Sequence, residues 1–139
     1  MYAHGMIAPV IALVIWSLIM LIWLYATRIP AMAKAKVKPG EATKAQMESL
    51  PGGAANVANN YNHLMEQPTL FYALALYAQV AGHADPLNVG LAWGYVVLRA
   101  AHSVIQCTSN NVTIRFYLFA ASTLMLIILA GHEIVSLLS

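Results

Sequence analysis

The sequence predicts an all-α integral membrane protein built as a four-helix bundle. Of its 139 residues, 60% are hydrophobic and only 9% are charged, whereas a soluble domain usually carries about 25% charged residues. The mean hydropathy is +0.68. A spanning helix needs roughly 20 apolar residues to cross a hydrocarbon core of about 30 Å, and the apolar runs leave room for four such helices. The composition therefore excludes a large soluble domain.

The first helix is predicted over about residues 6–26. Pro9 falls in its first turn, where a missing backbone N–H is tolerated, and Arg28 follows its end. No Lys or Arg precedes this apolar run, and the run is longer than the h-region of a signal peptide, so we interpret it as a retained membrane helix. The polar segment of about residues 28–57 is predicted to be a loop with a short surface helix near residues 41–50.

Three further helices complete the predicted bundle, over about residues 58–81, 86–107 and 112–130. Asp85 is the expected N-cap of the third helix, because an Asp side chain accepts from first-turn N–H groups and Pro86 suits the first helical position. The stretch "TSNN" at residues 108–111 predicts a tight turn before the fourth helix. We therefore expect a single transmembrane domain over residues 1–139.

The distribution of positive charge predicts the orientation of the bundle. Of the seven Lys and Arg residues, five lie in the predicted first loop: Arg28, Lys34, Lys36, Lys38 and Lys44. By the positive-inside rule this loop faces the cytoplasm, and both termini face the other side. The net charge of +2 and the absence of a basic stripe argue against nucleic acid as a partner.

Four ionisable residues on three predicted helices lie at a similar depth near the cytoplasmic side: Glu66, Arg99, His102 and Arg115. A charge at the centre of a bilayer costs about 2.5–3.5 kcal/mol or more, so these groups are expected to face the bundle interior and to pair. The simplest pair is Glu66 with Arg99. Arg115 then has no carboxylate partner, which favours an anionic ligand or a thiolate as its partner. The alternative is that Arg115 extends to the phosphates of lipid headgroups.

Helical spacing groups further residues with these charges. His63 lies three positions before Glu66, and Gln106 lies seven positions after Arg99, so each shares a helix face with its charged neighbour. A metal site built from histidines and Glu66 is not expected, because no second His–carboxylate pair completes it. Cys107 is the single cysteine, which excludes an internal disulfide, and it is interpreted as an inert apolar side chain.

Two stretches of the sequence resemble motifs of a known family. The run "RAAHSVIQ" from Arg99 to Gln106, followed by Arg115, resembles the third-helix signature of the MAPEG family, the membrane-associated proteins in eicosanoid and glutathione metabolism. The run "NYNHLMEQPTLFYALAL" resembles the second-helix motif of that family, in which a glutamate precedes an apolar run with an early proline. The second stretch is especially close to small bacterial members.

This resemblance implies a homotrimer of four-helix subunits that binds glutathione between neighbouring subunits. It implies a glutathione-dependent transferase or peroxidase, whose lipophilic electrophile or peroxide arrives from the membrane lipid. Arg115 falls on the arginine that stabilises the glutathione thiolate and is the expected catalytic residue. The expected glutathione-binding positions are Arg28, His63, Glu66, Arg99, His102 and Gln106. The bacterial resemblance implies a multi-pass protein of the bacterial inner membrane.

The sequence departs from the catalytic members of the family at five positions. Asn59 replaces an arginine, His63 an asparagine, Gln106 a tyrosine, Phe116 a hydroxyl residue and Phe119 a tyrosine. These departures leave two alternatives open. One is a non-enzymatic protein whose polar cleft binds a lipid headgroup or another anion. The other is a small-molecule exporter, which is disfavoured because no acidic relay crosses the membrane.

Overall fold

The computed structural model describes residues 5–51 and 53–139, and every regular element in that part is helical. The elements are α1 (Ile7–Lys34), a 3₁₀ turn (Pro39–Glu41), α2 (Lys44–Glu48), α3 (Ala54–Glu66), α4 (Pro68–Val80), α5 (Pro86–Cys107) and α6 (Val112–Leu138). Helices α3 and α4 are separated only by Gln67 and form one helical rod. With α1, α5 and α6 this gives four rods. The predicted all-α fold class is confirmed.

Helix α1 continues to Lys34, past its predicted end near residue 26. Pro30 lies inside the helix, where it removes one hydrogen bond. Beyond the proline, Ala31 and Met32 are buried in a small apolar cluster with Leu50 and other residues from the following segment. This packing accounts for the continuation of the helix, because burial outweighs a local propensity penalty.

The segment predicted as a first loop contains the end of α1, the helix α2 and the first turn of α3. Helix α2 lies in the range where a short surface helix was predicted. It starts with a capping box: Thr43 Oγ1 accepts from the backbone N–H of Gln46 at 3.2 Å, and Gln46 Oε1 accepts from the backbone N–H of Thr43 at 2.9 Å. These two reciprocal bonds satisfy donors that a helix start otherwise leaves free.

The predicted second helix is divided into α3 and α4 at Gln67 and begins earlier, at Ala54. Pro68 lacks the N–H that would continue the hydrogen-bond ladder. The backbone of Gln67 stays helical, with φ −60° and ψ −39°, so the direction of the chain is kept. The Gln67 side chain donates to Thr123 Oγ1 at 2.9 Å and accepts from the Tyr95 hydroxyl at 3.1 Å. The break therefore ties α4 to both α5 and α6.

Helix α5 has the predicted bounds, and Asp85 Oδ1 accepts from the backbone N–H of Asn88 at 2.9 Å as its N-cap. Helix α6 starts at the cap residue Asn111, whose Oδ1 accepts from a first-turn N–H at 3.1 Å. It continues to Leu138, past the predicted end near residue 130. Its last turns are held by Glu133, a carboxylate that is only 3% exposed.

The core lies between the four rods, where α5 packs along α6 and α1 packs against α3, α4 and α5. Its centre is the stacked pair of Phe71 and Tyr95, with ring centroids 4.7 Å apart. The outer faces carry exposed aliphatic side chains such as Ile22, at 70% exposure. Helices α1 and α6 are the two that are long and apolar enough to cross a membrane among the described residues.

Candidate functional site

A cleft of about 250 Å³ opens at the end of the bundle where α3 and α5 end and α6 begins. We call it the α3–α5–α6 cleft. Its lining residues are His63, His102, Val112, Arg115, Phe116 and Phe119. It combines one guanidinium and two imidazoles with two aromatic rings. The structure thus brings together three of the residues predicted from the sequence: His63, His102 and Arg115.

Arg115 projects into this cleft from the start of α6. Its Nη1 donates to the side-chain Oδ1 of Asn110 at 2.7 Å, and its buried Nε has no hydrogen-bond partner among the described residues. Within residues 5–51 and 53–139, no carboxylate lies within ion-pair distance of it. The guanidinium is therefore held by a neutral oxygen and keeps its full positive charge for an anion.

Arg99 is 1% exposed and forms no ion pair with Glu66, so that sequence prediction was wrong. Its Nη2 donates to the backbone carbonyl of His63 at 3.2 Å, and its guanidinium carbon lies 5.7 Å from the centroid of the Phe119 ring, within cation–π range. The Glu66 side chain is 70% exposed and lies 3.9 Å from His63 Nδ1. Glu66 is the last residue of α3 and points outward, which explains why the pair does not form.

A row of buried polar side chains runs along α5 beside the cleft and meets one residue of α3. We call this row the polar seam. Its members are Asn60, Arg99, His102, Ser103 and Gln106, each no more than 4% exposed. All five carry buried nitrogen or oxygen atoms without a hydrogen-bond partner in the part of the chain that the structure describes. Because buried polar atoms are costly to leave unsatisfied, the seam offers donors and acceptors to a polar ligand or to water.

The two imidazoles of the cleft lie close to each other and to the aromatic wall. The ring centroids of His63 and His102 are 6.1 Å apart, and those of His102 and Phe119 are 6.3 Å apart. Gln106 belongs to the polar seam on the same face of α5 but does not line the cleft. The structure therefore places Gln106 next to the site rather than in it.

Arg28 lies in a different pocket of about 300 Å³, between the end of α1, the helix α2 and the start of α3. Its neighbours there include Lys44, Glu48, Asn59 and Asn62. This pocket shares no lining residue with the α3–α5–α6 cleft. Within one chain, the structure thus does not bring Arg28 to Arg115.

A long apolar groove of about 500 Å³ runs between α4 and α6. We call it the α4–α6 groove. Gln67 and Thr123 form its polar end, and the rest of its wall consists mainly of aliphatic side chains with Tyr77. A second apolar cavity of about 270 Å³ shares Leu74 and Tyr77 with it and reaches Glu133. Apolar molecules in the membrane therefore have a surface to occupy on this side of the subunit.

The opposite end of the bundle holds a second polar group, the Glu133 cluster of His83, Asn88, His132 and Glu133. His83 Nδ1 donates to Glu133 Oε2 at 2.6 Å, and Asn88 Nδ2 donates to Glu133 Oε1 at 2.6 Å. Asn88 Nδ2 also donates to the backbone carbonyl of His83 at 2.8 Å. The amide oxygen of Asn88 can only accept, so His132 Nδ1 donates to Asn88 Oδ1 at 2.8 Å.

Sequence reasoning missed the Glu133 cluster, because the fourth helix was predicted to end near residue 130 and Glu133 fell outside it. An ionisable residue inside a membrane helix by default points to a buried partner, and this signal is present only because α6 continues to Leu138. The partners His83 and Asn88 are 50 and 45 residues away in the chain. In the described part of the chain, no group of three or more His, Cys, Asp or Glu side chains is arranged to hold a metal ion.

Comparison with protein families agrees with this architecture. The model of the MAPEG family matches residues 6–135, which include all of α1 to α5 and most of α6. Neither the curated proteins nor the solved structures yield a match to the chain. The family consists of membrane helical bundles, in keeping with the aliphatic outer faces and the polar interior described above. Because the match extends over almost the whole sequence, the chain belongs to the MAPEG family.

Proposed function

We propose that the protein is a glutathione-dependent transferase or peroxidase that acts on lipophilic electrophiles. The observation that carries this proposal is the state of Arg115, a guanidinium held in a cleft by a neutral oxygen with no carboxylate to compensate it. The MAPEG family often binds glutathione, which has two carboxylates and a thiol. Such a ligand supplies the negative charge that the cleft lacks.

The residues present fit glutathione in their chemistry. The arginines supply cationic donors, and the polar seam supplies unpartnered buried atoms of both kinds, including Gln106 Oε1 as an acceptor and Ser103 Oγ as a donor or acceptor. His63 and His102 line the cleft, and we assign them to hold the peptide groups. Glu66, which is free of Arg99, is available to accept from an ammonium group.

When bound, glutathione supplies a sulfur nucleophile. Arg115 is assigned the catalytic role, because a guanidinium in a partly desolvated cleft favours the ionised form of a thiol at the sulfur atom. Phe116 and Phe119 form an apolar wall of the same cleft, where they would orient an apolar electrophile and exclude water. Holding both reactants in one cleft lowers the barrier through proximity. No nucleophile from the protein is required.

Arg28 enters this proposal through assembly. Its pocket is separate from the cleft of its own chain, so a contribution to glutathione binding requires a neighbouring subunit. We therefore propose a homotrimer in which Arg28 of one subunit contributes to the site of the next. We further propose one transmembrane domain over residues 1–139 that crosses a bacterial inner membrane four times, with the segment between α1 and α3 on the cytoplasmic side.

Titration of the detergent-purified protein with glutathione by calorimetry tests the proposal, with Arg115→Ala and the charge-conserving Arg115→Lys alongside. We expect saturable binding that Arg115→Ala weakens by about tenfold or more and that Arg115→Lys partly retains. Glutathione-dependent conjugation of an aromatic electrophile should follow the same order. An absence of saturable binding at millimolar glutathione would overturn the proposal.

A second candidate is a non-enzymatic protein whose cleft binds a lipid headgroup or another anion. The observation that favours it is that Phe116, an exposed apolar side chain at 64% exposure, lines the cleft together with the Arg115 cation. Four of the five replacements noted above also remove cationic or hydroxyl groups from family positions. Mass spectrometry of lipid that copurifies with the wild type, and is lost from Arg115→Ala, would favour this candidate.

A further inference from the structure

We propose that Asn110 is a positioning residue, which holds the Arg115 guanidinium at the mouth of the α3–α5–α6 cleft without neutralising its charge. The inference rests on the proposed function only in the identity of the anion that Arg115 binds. The hydrogen bond itself is a property of the protein alone. It joins Arg115 Nη1 to Asn110 Oδ1 at 2.7 Å.

The backbone places Asn110 where its side chain can reach Arg115. Asn110 lies in the turn between α5 and α6 and has a positive φ of 52°. Its backbone N–H donates to the carbonyl of Ile105 at 2.7 Å, which closes the end of α5. A residue in this left-handed region is most easily Gly, Asn or Asp. The turn therefore restricts the residue type, and of these three residues only asparagine and aspartate have a side-chain oxygen for the guanidinium.

The choice of a neutral amide has an electrostatic consequence. Asp at this position would also accept from Arg115, but its negative charge would lie next to the guanidinium and compensate the positive charge. An amide oxygen fixes the direction of the guanidinium and leaves its charge available. Among the described residues, no carboxylate lies within ion-pair distance of Arg115 to do what Asp would do.

Arg115 lies near the start of α6, so its long side chain needs a hydrogen bond that keeps the guanidinium in the cleft. A long arginine side chain close to the membrane surface reaches readily towards headgroup phosphates. The bond to Asn110 opposes that movement, because it holds the guanidinium against the turn between α5 and α6, directly before the lining residue Val112. The next residue, Asn111, does not contact the guanidinium in this way, since its Oδ1 caps α6. The two neighbouring asparagines thus provide a test residue and a matched control.

Three variants separate position from charge. Asn110→Gly keeps the left-handed turn and removes the acceptor. Asn110→Asp keeps the acceptor and compensates the cation. Asn111→Asp adds the same negative charge one residue away and preserves the cap, since Asp and Asn are equivalent N-caps. A thermal unfolding profile in detergent confirms that each variant is folded.

The first readout does not involve glutathione. An arginine-selective dicarbonyl reagent is applied to the wild type and Asn110→Gly, and modification of Arg115 is followed by peptide mass spectrometry, with Arg28 as the internal reference. We expect Arg115 to react several-fold faster in Asn110→Gly, since loss of one hydrogen bond to a charged group frees the side chain. Equal rates in the two proteins would overturn the positioning role.

The second readout is glutathione binding together with the ultraviolet absorbance of the bound thiolate as a function of pH. We expect both Asn110 variants to weaken binding by about tenfold and to shift thiolate formation to higher pH, and Asn111→Asp to change binding less than about twofold. Wild-type affinity and an unshifted thiolate in both Asn110 variants would contradict the inference. If the wild type itself does not bind while Asn110→Gly alters Arg115 labelling, the proposed function fails and the positioning role stands.

Discussion

Arg99 donates to the backbone carbonyl of His63 at 3.2 Å, and its side chain does not reach the Glu66 carboxylate. This bond connects α5 to a main-chain atom of α3, so the connection does not depend on the side chain at position 63. The buried guanidinium also faces the Phe119 ring. Glu66 therefore lies at the surface. An ion pair with Glu66 would have compensated the positive charge of Arg99, and without that pair the site keeps the charge.

Glu66→Gln should leave the stability of the protein almost unchanged. An exposed carboxylate without a buried partner contributes little, so we expect a change in the free energy of unfolding within about 0.5 kcal/mol. Removing one partner of a buried ion pair would instead cost about 3–5 kcal/mol. Chemical unfolding in detergent distinguishes the two, and a loss in the larger range would show that the pair with Arg99 exists.

Glu133→Ala should destabilise the Glu133 end of the bundle. It leaves a donor of the buried Asn88 without a partner, at about 1–3 kcal/mol. It also removes the partner of His83, whose side chain is 30% exposed and is partly satisfied by water. Glu133→Gln is the matched control, because it keeps the shape and one acceptor oxygen and should cost less. Both are measured as the free energy of unfolding in the same detergent. Equal stability of Glu133→Ala and the wild type would contradict the hydrogen-bonded cluster.

Gln67→Leu should weaken the contact of the α3–α4 junction with α5 and α6. It removes the bonds to Thr123 and Tyr95, and we expect a loss of about 1–2 kcal/mol. A double-mutant cycle with Thr123→Val should give a coupling energy of about 0.5–1.5 kcal/mol, because both changes remove one shared bond. Strictly additive effects would mean that Gln67 and Thr123 do not interact.

Gly5→Ala should be more damaging than Gly53→Ala. Both glycines have positive φ, at 45° and 75°, but an added Cβ at Gly5 would clash with Gln79 Oε1 and Ala84 Cβ, whereas nothing lies within 4 Å at Gly53. Gln79 Oε1 accepts from the backbone N–H of Met6 at 2.8 Å, so the clash also breaks that bond. We expect about 1–2 kcal/mol for the conformational cost alone and a further loss at Gly5. Melting temperatures that fall equally would refute the close contact.

Phe119→Tyr should strengthen glutathione binding if the proposed function holds. The substitution adds a hydroxyl to the wall of the cleft and retains the aromatic ring that faces Arg99. One added hydrogen bond of about 0.5–1.5 kcal/mol corresponds to a gain of roughly two- to tenfold in affinity. Phe116→Tyr, on the same wall of the cleft, provides the comparison. Weaker binding in Phe119→Tyr would argue against a ligand group at this position.

Local signals predicted part of this fold from the sequence. The bounds of α5 follow from the cap at Asp85 and from the turn that ends the helix, and both are encoded within a few residues. The break at Gln67 had a local signal in Pro68, which lies inside the predicted second helix and removes one hydrogen bond. That signal does not say that the backbone of Gln67 stays helical. The end of α1 was missed because Ala31 and Met32 are held by contacts with a later segment.

The sequence predicted which residues lie near the candidate site, but it did not predict which side chains contact each other there. Depth in the membrane can be estimated from position along a helix, and on that basis Arg99, His102 and Arg115 were expected at one level. The structure places His102 and Arg115 in one cleft and Arg99 against its Phe119 wall. The rotation of each helix about its axis cannot be estimated in this way. For that reason the outward direction of Glu66 and the bond from Arg115 to Asn110 became visible only in the structure.

The Glu133 cluster has a consequence for biosynthesis. Helix α6 follows the segments of its partners in the chain, and it carries the one carboxylate found buried among the described residues. Its partners His83 and Asn88 belong to segments that are made earlier. The order of the chain therefore presents the hydrogen-bond donors before the acidic group is synthesised. A nascent chain that has not yet reached Glu133 leaves those donors without their carboxylate partner.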